Sequence, residues 1–262
     1  MQYMILRRAD RHTEAARLPG NEMRLLFAAL KPSRNAVRLT LDHGKATLLE
    51  GPFPEPAEMI AGFAVVDVPN KDEAVAWLKR WPVTDQPVEL EIRESGCPGG
   101  CANIDAVDDP NAPGKRFAIL LRSSPDLEHE VPVPEERLRT LDAHNAVQAQ
   151  AGVLLAGDGL RTSARGARVT ISKQAFTVVD GPFTEIKEMI AGFWLIRVLT
   201  MQDAIAWATR NPYPSGPRVE VEIRELESAA DQGAGLPPDV EEAEQRIRAE
   251  QLEAGMRAHF TA

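Results

Sequence analysis

The sequence predicts an α+β protein in which two repeats of an antiparallel sheet, each with its helices on one face, pack sheet to sheet as an intramolecular pseudo-dimer, an α+β barrel. The first observation is an internal repeat: residues 51–63 recur as residues 181–193 with ten of thirteen letters identical, at an offset of 130 (181 − 51). The second is a shared order of strand and helix patterns in the two copies. The third is the length of 262 residues, which fits two domains of about 130 residues each.

The opening elements follow from hydrophobic period and from the prolines. Residues 2–8 and 116–122 are short, apolar and rich in branched side chains, which predicts buried strands. Two helices are predicted, one ended by a proline and one begun after a proline, at residues 21–31 and 134–151.

The later elements fall at equivalent places in the two copies. A hairpin is predicted over residues 40–48, because Gly44 permits a tight turn. A strand, an amphipathic helix and a final strand then follow in each copy, at 61–68, 71–80 and 88–94 in the first and at 191–198, 201–210 and 219–225 in the second. This order, β-α-β-β-β-α-β or a trimmed version of it, is that of the ferredoxin-like fold.

The offset between the copies changes near their start. Ile5 aligns with Ile119 at an offset of 114 (119 − 5), so 16 residues (130 − 114) are missing from the first copy. In that region the second copy has an apolar stretch and then Gly157-Asp158-Gly159, which we interpret as a strand and a glycine turn. The predicted domains are a first repeat at 1–95 that lacks one strand, a linker at 96–115, a second repeat at 116–226, and a polar linker with a C-terminal helix at 227–262.

The linker and the tail carry two further predictions. Cys97 and Cys101, the two cysteines of the chain, are interpreted as free thiols in a flexible linker, with a small local disulfide as the alternative. Asp239 is predicted to begin a helix that runs to about Arg257. That helix packs on its own domain or, alternatively, makes an oligomer contact.

Composition excludes several classes of function. A net charge of −9 opposes binding to nucleic acid and to anionic membranes. No apolar run reaches the roughly 20 residues of a membrane span, and the apolar start is too short for a signal peptide, so we expect a cytoplasmic protein. The sequence contains no phosphate loop, dinucleotide glycine motif, zinc spacing or nucleophile-elbow serine, and we therefore expect no metal and no cofactor.

The segment Asp180-Gly-Pro-Phe, followed by a glutamate and a lysine and then by Gly192-Phe193, resembles the YCII-related family and, within it, the DGPF-domain branch. The resemblance covers nearly all of residues 116–225 and, with gaps, residues 3–94. It implies ferredoxin-like domains that assemble through their sheets into dimeric α+β barrels. The family's role is poorly settled. Relatives of the barrel catalyse isomerisation or dehalogenation-like chemistry, DGPF proteins often accompany extracytoplasmic-function sigma factors, and the YCII branch has a proposed histidine–aspartate acid/base pair.

The predicted site is centred on the turn that follows Asp180. Binding and catalytic residues are often found in the loops at strand ends, where Asp180 lies. Burial would raise the pKa of its carboxyl and make it suitable for proton transfer. A structural role in holding the turn is the alternative. The predicted catalytic residues are Asp180, His144 and Glu185, and the predicted ligand-binding residues are Gly181, Pro182, Phe183, Lys187, Phe193, Glu50 and Phe53.

The first copy departs from this pattern, so we expect the site in the second half. Glu50 stands where the second copy has Asp180, and Ala57 stands where it has Lys187. The favoured function is a small-molecule cleft between or beside the sheets. One alternative is a cofactor-independent isomerase or lyase with Asp180 as acid/base, and another is a protein-interaction module linked to transcription regulation. The expected partners are accordingly a small ligand or another protein, with higher oligomers forming through the C-terminal helix.

Overall fold

The computed structural model describes residues 1–9, 14, 28–53, 59–79, 87–98, 100, 104–105, 112–228, 246 and 257–259. The strands are β1 (Gln2–Ala9), β2 (Ala28–Ala29), β3 (Val37–Asp42), β4 (Lys45–Glu50), β5 (Met59–Asp67), β6 (Val88–Glu94), β7 (Ile104–Asp105), β8 (Lys115–Arg122), β9 (Leu154–Gly159), β10 (Ala167–Ile171), β11 (Phe176–Asp180), β12 (Ile190–Val198), β13 (Arg218–Glu225) and β14 (Arg257–His259). The α-helices are α1 (Lys71–Leu78), α2 (Pro125–Glu128), α3 (Glu135–Gln150) and α4 (Met201–Arg210), and short 3-10 turns occupy Ser33–Asn35, Ser163–Arg165 and Ile186–Glu188.

Two seven-stranded sheets, antiparallel throughout, form the centre of the molecule. Sheet I has the order β11-β10-β6-β1-β5, with β2 and β14 both paired to β5. Sheet II has the order β4-β3-β13-β8-β12-β9-β7. The core strands of each sheet come from one repeat, and equivalent strands occupy equivalent places in the two sheets.

The hairpins are exchanged between the repeats. The first repeat's β3–β4 hairpin pairs with β13 of the second repeat, with Leu39 opposite Val221. Reciprocally, the β10–β11 hairpin pairs with β6 of the first repeat, with Val169 opposite Leu90. Each sheet therefore contains strands from both repeats, and the two halves are joined by backbone hydrogen bonds as well as by side-chain packing.

The layers confirm the predicted α+β pseudo-dimer. Helix α1 buries Trp77 against sheet I, and α3 and α4 pack on sheet II around Trp207. The opposite faces of the sheets meet in a shared apolar core, where the rings of Phe63 and Phe193 lie 5.9 Å apart. The sheets do not close into one continuous barrel, because β4 and β11 end them, but isolated bridges between Leu30 and Leu226 and between Ser95 and Leu160 link one sheet to the other.

The predicted helices of the second repeat are confirmed, and their ends have local causes. Helix α3 starts directly after Pro134, and α4 starts with a capping box in which Thr200 and Asp203 each accept from the other's backbone N–H. In the first repeat, Asn70 caps α1 by accepting from the backbone N–H of Glu73 at 3.0 Å.

Of two predictions about the ends of the repeats, the first is corrected and the second stays a prediction. Residues 21–27 of the predicted helix at 21–31 lie outside the described residues, but Ala28 is in a strand, paired with Phe63 of β5. The first copy therefore keeps a strand at the place where we expected a loss. The predicted tail helix lies almost entirely outside the described residues; Arg246 within it is helical, and Arg257, where we expected the helix to end, begins β14.

No helix in the described part of the chain is long and apolar enough to cross a membrane.

Candidate functional site

The repeated Gly-Pro-Phe turns are required by close backbone packing. A Cβ on Gly181 would lie 1.9 Å from the carbonyl oxygen of Ser163, and a Cβ on Gly51 would lie 1.8 Å from that of Ser33. Both glycines precede cis prolines. The backbone N–H of Phe183 donates to Ser163 Oγ at 3.0 Å, which fixes the end of the turn. These contacts account for the recurrence of the glycine in both copies.

The phenylalanine of each turn covers an arginine of an exchanged hairpin. The guanidinium of Arg168 lies 4.3 Å from the ring centre of Phe183, and that of Arg38 lies 4.1 Å from the ring centre of Phe53. Phe53, which we predicted to bind ligand, is fully buried. Both aromatic side chains are thus engaged in equivalent contacts within the protein.

Each of these arginines belongs to a buried charge cluster. Glu91, on β6, forms ion pairs with Arg8, Arg93 and Arg168, with N–O distances of 3.1, 3.3 and 3.1 Å. In the equivalent cluster on β13, Glu222 forms ion pairs with Arg38, Arg122 and Arg224, with N–O distances of 3.1, 3.9 and 2.8 Å. In both clusters one arginine comes from the other repeat's hairpin, so these ion pairs hold the exchange in place.

The electrostatics of Glu222 follow from its neighbours. Burial alone would raise the pKa of this carboxyl, but Arg224, Arg122 and Arg38 together hold its pKa below the ordinary value. A carboxylate held ionised by three guanidinium groups is a structural anchor and a poor proton donor.

The structure distributes the three predicted catalytic residues over separate surroundings. Asp180 is 67% exposed, and one of its oxygens lies 2.5 Å from Nζ of Lys71. His144 is on α3 with its ring centre 6.0 Å from that of Trp207, and burial, followed by the charge of Arg210, lowers its pKa. Glu185 is exposed and precedes a 3-10 turn. No hydrogen bond or ion pair joins Asp180, His144 and Glu185 to one another.

The remaining predicted ligand residues also differ in setting. Glu50 is exposed at the end of β4, whereas Phe193 is buried in the inter-sheet core. Gly181, Pro182 and Phe183 form the packed turn described above. The side chain of Lys187 lies outside the described part of the chain. Asp180 and its turn therefore remain a predicted site that nothing in the structure tests.

A cavity of about 50 Å³ lies in the second repeat, away from that turn. It is open on one side and is bordered by β9 and β12 of sheet II, by α3, and by the segment that joins α2 to α3. Its walls are mainly apolar, and they include Leu121, Leu127, Val131, Val133, Leu141 and Trp194. The linker contributes Cys97, which is disulfide-bonded, so the expectation of a free thiol at this position is corrected.

Asp158, on β9, borders this cavity with its backbone, but its side chain lies on the other face of sheet II, because it is paired with Phe193 of the inter-sheet core, whereas Gly157 is paired with Trp194. Burial raises the pKa of its carboxyl to about 6, and a hydrogen bond from the Gly159 backbone N–H offsets only part of the effect. Among the described residues, no ion pair compensates this carboxyl. A buried carboxyl with a pKa near neutrality is the kind of group that binding and catalytic sites contain.

Asn145 and Glu130 are further polar groups of the cavity. Asn145, on α3, is 4% exposed, and its Oδ1 accepts no hydrogen bond. Glu130 lines the cavity too, but its carboxylate is bound by Arg161 at 2.9 Å and by the backbone N–H of Thr162 at 3.1 Å. The acceptor that this cavity offers a ligand is therefore the amide oxygen of Asn145, whereas the carboxyl of Asp158 faces the space between the sheets.

The glycines beside Asp158 belong to a strand, which corrects our interpretation of Gly157-Asp158-Gly159 as a turn. A Cβ on Gly157 would lie 3.0 Å from Trp194 Cδ1, and a Cβ on Gly159 would lie 2.7 Å from Cys97 Cα. Glycine is needed because other parts of the chain approach the strand closely. In the sequence, the feature that could have indicated Asp158 as a functional residue is an acidic residue between two glycines after an apolar stretch.

The first repeat has a different residue at the equivalent position. Ala28 lies opposite Phe63 as Asp158 lies opposite Phe193. Glu14 and Glu128 are also equivalent, because each accepts the backbone N–H of the serine in the following 3-10 turn. From these glutamates the distance along the chain is 14 positions to Ala28 (28 − 14) but 30 to Asp158 (158 − 128). The missing 16 residues therefore fall where the second repeat has α3.

No group of three or more His, Cys, Asp or Glu side chains that could hold a metal ion occurs among the described residues.

Comparison with known proteins supports the duplication. The family model for the YCII-related domain matches twice, over residues 1–94 and residues 116–227. A search of curated proteins finds none that matches the chain. The two matches cover both sheets and most of the chain, and the protein is a tandem member of the YCII-related family.

Proposed function

We propose that the protein binds a small organic molecule between the sheets, at the inter-sheet face of β9, with Asp158 as the principal polar contact. The observation that carries this proposal is the buried carboxyl group of Asp158, which has no ion-pair partner among the described residues and lies on the apolar inter-sheet face beside Phe193. An ionised group without a partner destabilises the folded protein. Its presence is accounted for by a ligand that pairs with it, because ligand sites typically combine apolar walls with a few placed polar groups.

The turn that follows Asp180 is the competing location. It is supported by the resemblance of this motif to the DGPF branch, an assignment that is itself a proposal. Against it, Asp180 is exposed and already faces Lys71, and Phe183 covers Arg168. We therefore favour Asp158, on a strand of the same repeat.

Acid/base catalysis is a second candidate function. The observation in its favour is the pKa of Asp158, which burial raises to about 6. A carboxyl group that titrates near neutral pH can both accept and donate a proton under physiological conditions. The corresponding reaction class is cofactor-independent isomerisation or elimination on a small metabolite, with Asp158 in the role that we first predicted for Asp180.

A thermal-shift screen of a metabolite library separates these proposals. The screen uses the wild-type chain, Asp158→Asn for the proposed site on β9, and Asp180→Asn as the matched control at the turn. We expect ligands that stabilise wild type and Asp180→Asn but lose most of their effect on Asp158→Asn. Ligands whose stabilising effect is lost only in Asp180→Asn would indicate that the site is at the turn. The absence of any hit would contradict a small-molecule function and favour a protein partner.

Turnover distinguishes binding from catalysis. Each hit is incubated with the protein in deuterated water, and exchange or conversion is followed by NMR. Isotope exchange that is lost in Asp158→Asn supports the acid/base role. Binding with no exchange and no conversion supports a binding protein.

A further inference from the structure

We infer that the cavity on the helix side of sheet II is a second ligand site, which takes a small uncharged aliphatic molecule with an amide or hydroxyl head group. The head group contacts the side chain of Asn145, and the hydrocarbon body lies against the apolar walls. This inference goes beyond the proposed function, because the cavity and the carboxyl of Asp158 lie on opposite faces of the sheet.

The polar group that the cavity offers a ligand is the amide of Asn145. This side chain is 4% exposed, and its Oδ1 accepts no hydrogen bond from the described residues. A buried acceptor without a donor is costly to the folded protein, so a ligand that donates a hydrogen bond to it removes that cost. The NH2 group of the same side chain carries two donors. The complementary head group therefore both donates and accepts, as an amide or an alcohol does.

The charges around the cavity oppose an ionic head group. Glu130 contributes a carboxylate to the lining, but Arg161 and the backbone N–H of Thr162 already bind it. The described residues of the lining include no lysine, arginine or histidine, so an anion would lose its hydration without gaining a counter-charge. A cation would have to compete with Arg161 for a carboxylate that is already satisfied. An uncharged ligand meets neither cost.

The walls and the volume set the size of the hydrocarbon body. Leu121, Leu127, Leu141 and Trp194 are among the apolar wall residues, and small-molecule sites typically combine such walls with a few polar groups. A volume of about 50 Å³ corresponds to roughly three to five water-sized spaces. The enclosed part of the ligand therefore has about three to five heavy atoms, and any larger part extends through the open side.

In the described part of the chain, these walls are particular to the second repeat. Asn145 lies on α3, which occupies the stretch where the first repeat is 16 residues shorter (130 − 114). In the second repeat Leu121 lies opposite Gly192. The corresponding residue of the first repeat, opposite Gly62, is Arg7, which is 1% exposed. A buried guanidinium thus replaces an apolar wall residue, and we expect one such site per chain.

The test is an NMR titration of the full chain at neutral pH with four three-carbon compounds: propionamide, propan-1-ol, propionate and propylammonium. The indole N–H of Trp194, a wall residue, is assigned with Trp194→Phe and reports occupancy of the cavity. We expect saturable shifts in the millimolar range from the two neutral compounds, because so few atoms give weak binding. Each should bind at least about tenfold more tightly than either ion, a difference of 1.4 kcal/mol.

Two variants separate the head-group contact from the cavity itself. Asn145→Ala removes the amide and keeps the apolar walls, so its affinity for propionamide should fall at least about tenfold. It should still bind xenon, an apolar atom that enters such cavities, and this binding shows that the variant is folded. Gln150→Ala removes an exposed amide from the same helix. It is the matched control and should behave as wild type.

The outcomes also separate this inference from the proposed function. Equal or tighter binding of either ion, or no saturable shift from the neutral compounds, would overturn the inference in the wild-type protein without recourse to a variant. Unchanged affinity for propionamide in Asn145→Ala would overturn it too. The proposed function is tested by ligands that depend on Asp158, on the other face of the sheet, so it stands or fails independently.

Discussion

Asp158 is an acidic side chain whose surroundings favour its neutral form. Its carboxyl receives the backbone N–H of Gly159, and no described side chain forms an ion pair with it. Burial therefore raises its pKa to about 6. The folded protein then holds the proton more tightly than the unfolded chain, so folding stability falls as the pH rises from about 4 through about 6.

Replacing Asp158 by Asn should stabilise the protein at neutral pH. Because the pKa shift from 3.8 to about 6 reflects an ionisation penalty, its removal is expected to add about 2–3 kcal/mol to the free energy of unfolding at pH 7, and little at pH 4. Urea unfolding at the two pH values measures this, with Asp180→Asn as the exposed control. A variant less stable than wild type at pH 7 would mean that the carboxylate has a structural partner.

The sequence could indicate one candidate carboxylate but not the other. Asp180 was singled out because it precedes a recurring Gly-Pro-Phe motif, and the structure explains that recurrence by the packing of Gly181 on Ser163 and of Phe183 on Arg168. Asp158 was assigned to a turn because glycines flank it. Those glycines make room for Trp194 and for the linker, and such long-range contacts leave no local pattern.

At the scale of elements, hairpin exchange is the feature that the sequence could not predict. Strand β6 reads Val-Glu-Leu-Glu-Ile-Arg-Glu, and β13 contains Val-Glu-Val-Glu-Ile-Arg-Glu. Each hairpin therefore finds nearly the same partner surface in its own repeat and in the other. Alternation of apolar and polar residues fixes which face is buried, but it does not decide between two strands that alternate alike.

The buried charge clusters make the exchanged arrangement sensitive to single charges. Glu222→Gln would leave Arg38, Arg122 and Arg224 without their shared counter-charge, and we expect a loss of about 3–5 kcal/mol of stability in denaturant unfolding. Glu220→Gln, on the same strand but without an ion pair to any described residue, is the matched control and should change stability little. A loss below about 1 kcal/mol for Glu222→Gln would contradict a role for this cluster in holding the hairpins.

The stabilisation that Glu222 contributes also depends on pH. Because its folded pKa is lowered, its contribution is present above the ordinary pKa of a glutamate and is lost as the pH falls through the folded value. This acid dependence is opposite in sign to that of Asp158.

For the whole molecule, duplication was predictable and asymmetry was predictable only in part. Repeated letters and element order were enough for two α+β repeats packed sheet to sheet. The 16 residues that the first repeat lacks show where the two repeats diverge, but we interpreted their absence as the loss of a strand. Pairing shows instead that Ala28 keeps a strand position, because a strand can persist with a changed sequence when its neighbour still offers unpaired backbone groups.

The molecule has two equivalent charge clusters and one candidate ligand site at Asp158. Both repeats keep the buried glutamate and its three arginines. On the inter-sheet face, the first repeat has Ala28 where the second has Asp158. Duplication thus preserves the fold in both halves, and we expect ligand binding in the second half alone.

The most direct test is the stoichiometry of binding, measured by isothermal titration of the full chain with the ligand that best stabilises wild type in the screen. We predict one ligand per chain and the loss of that binding event in Asp158→Ala, which restores the residue found in the first repeat. Two equivalent sites per chain, or a single site that Asp158→Ala leaves unchanged, would contradict the assignment of function to Asp158.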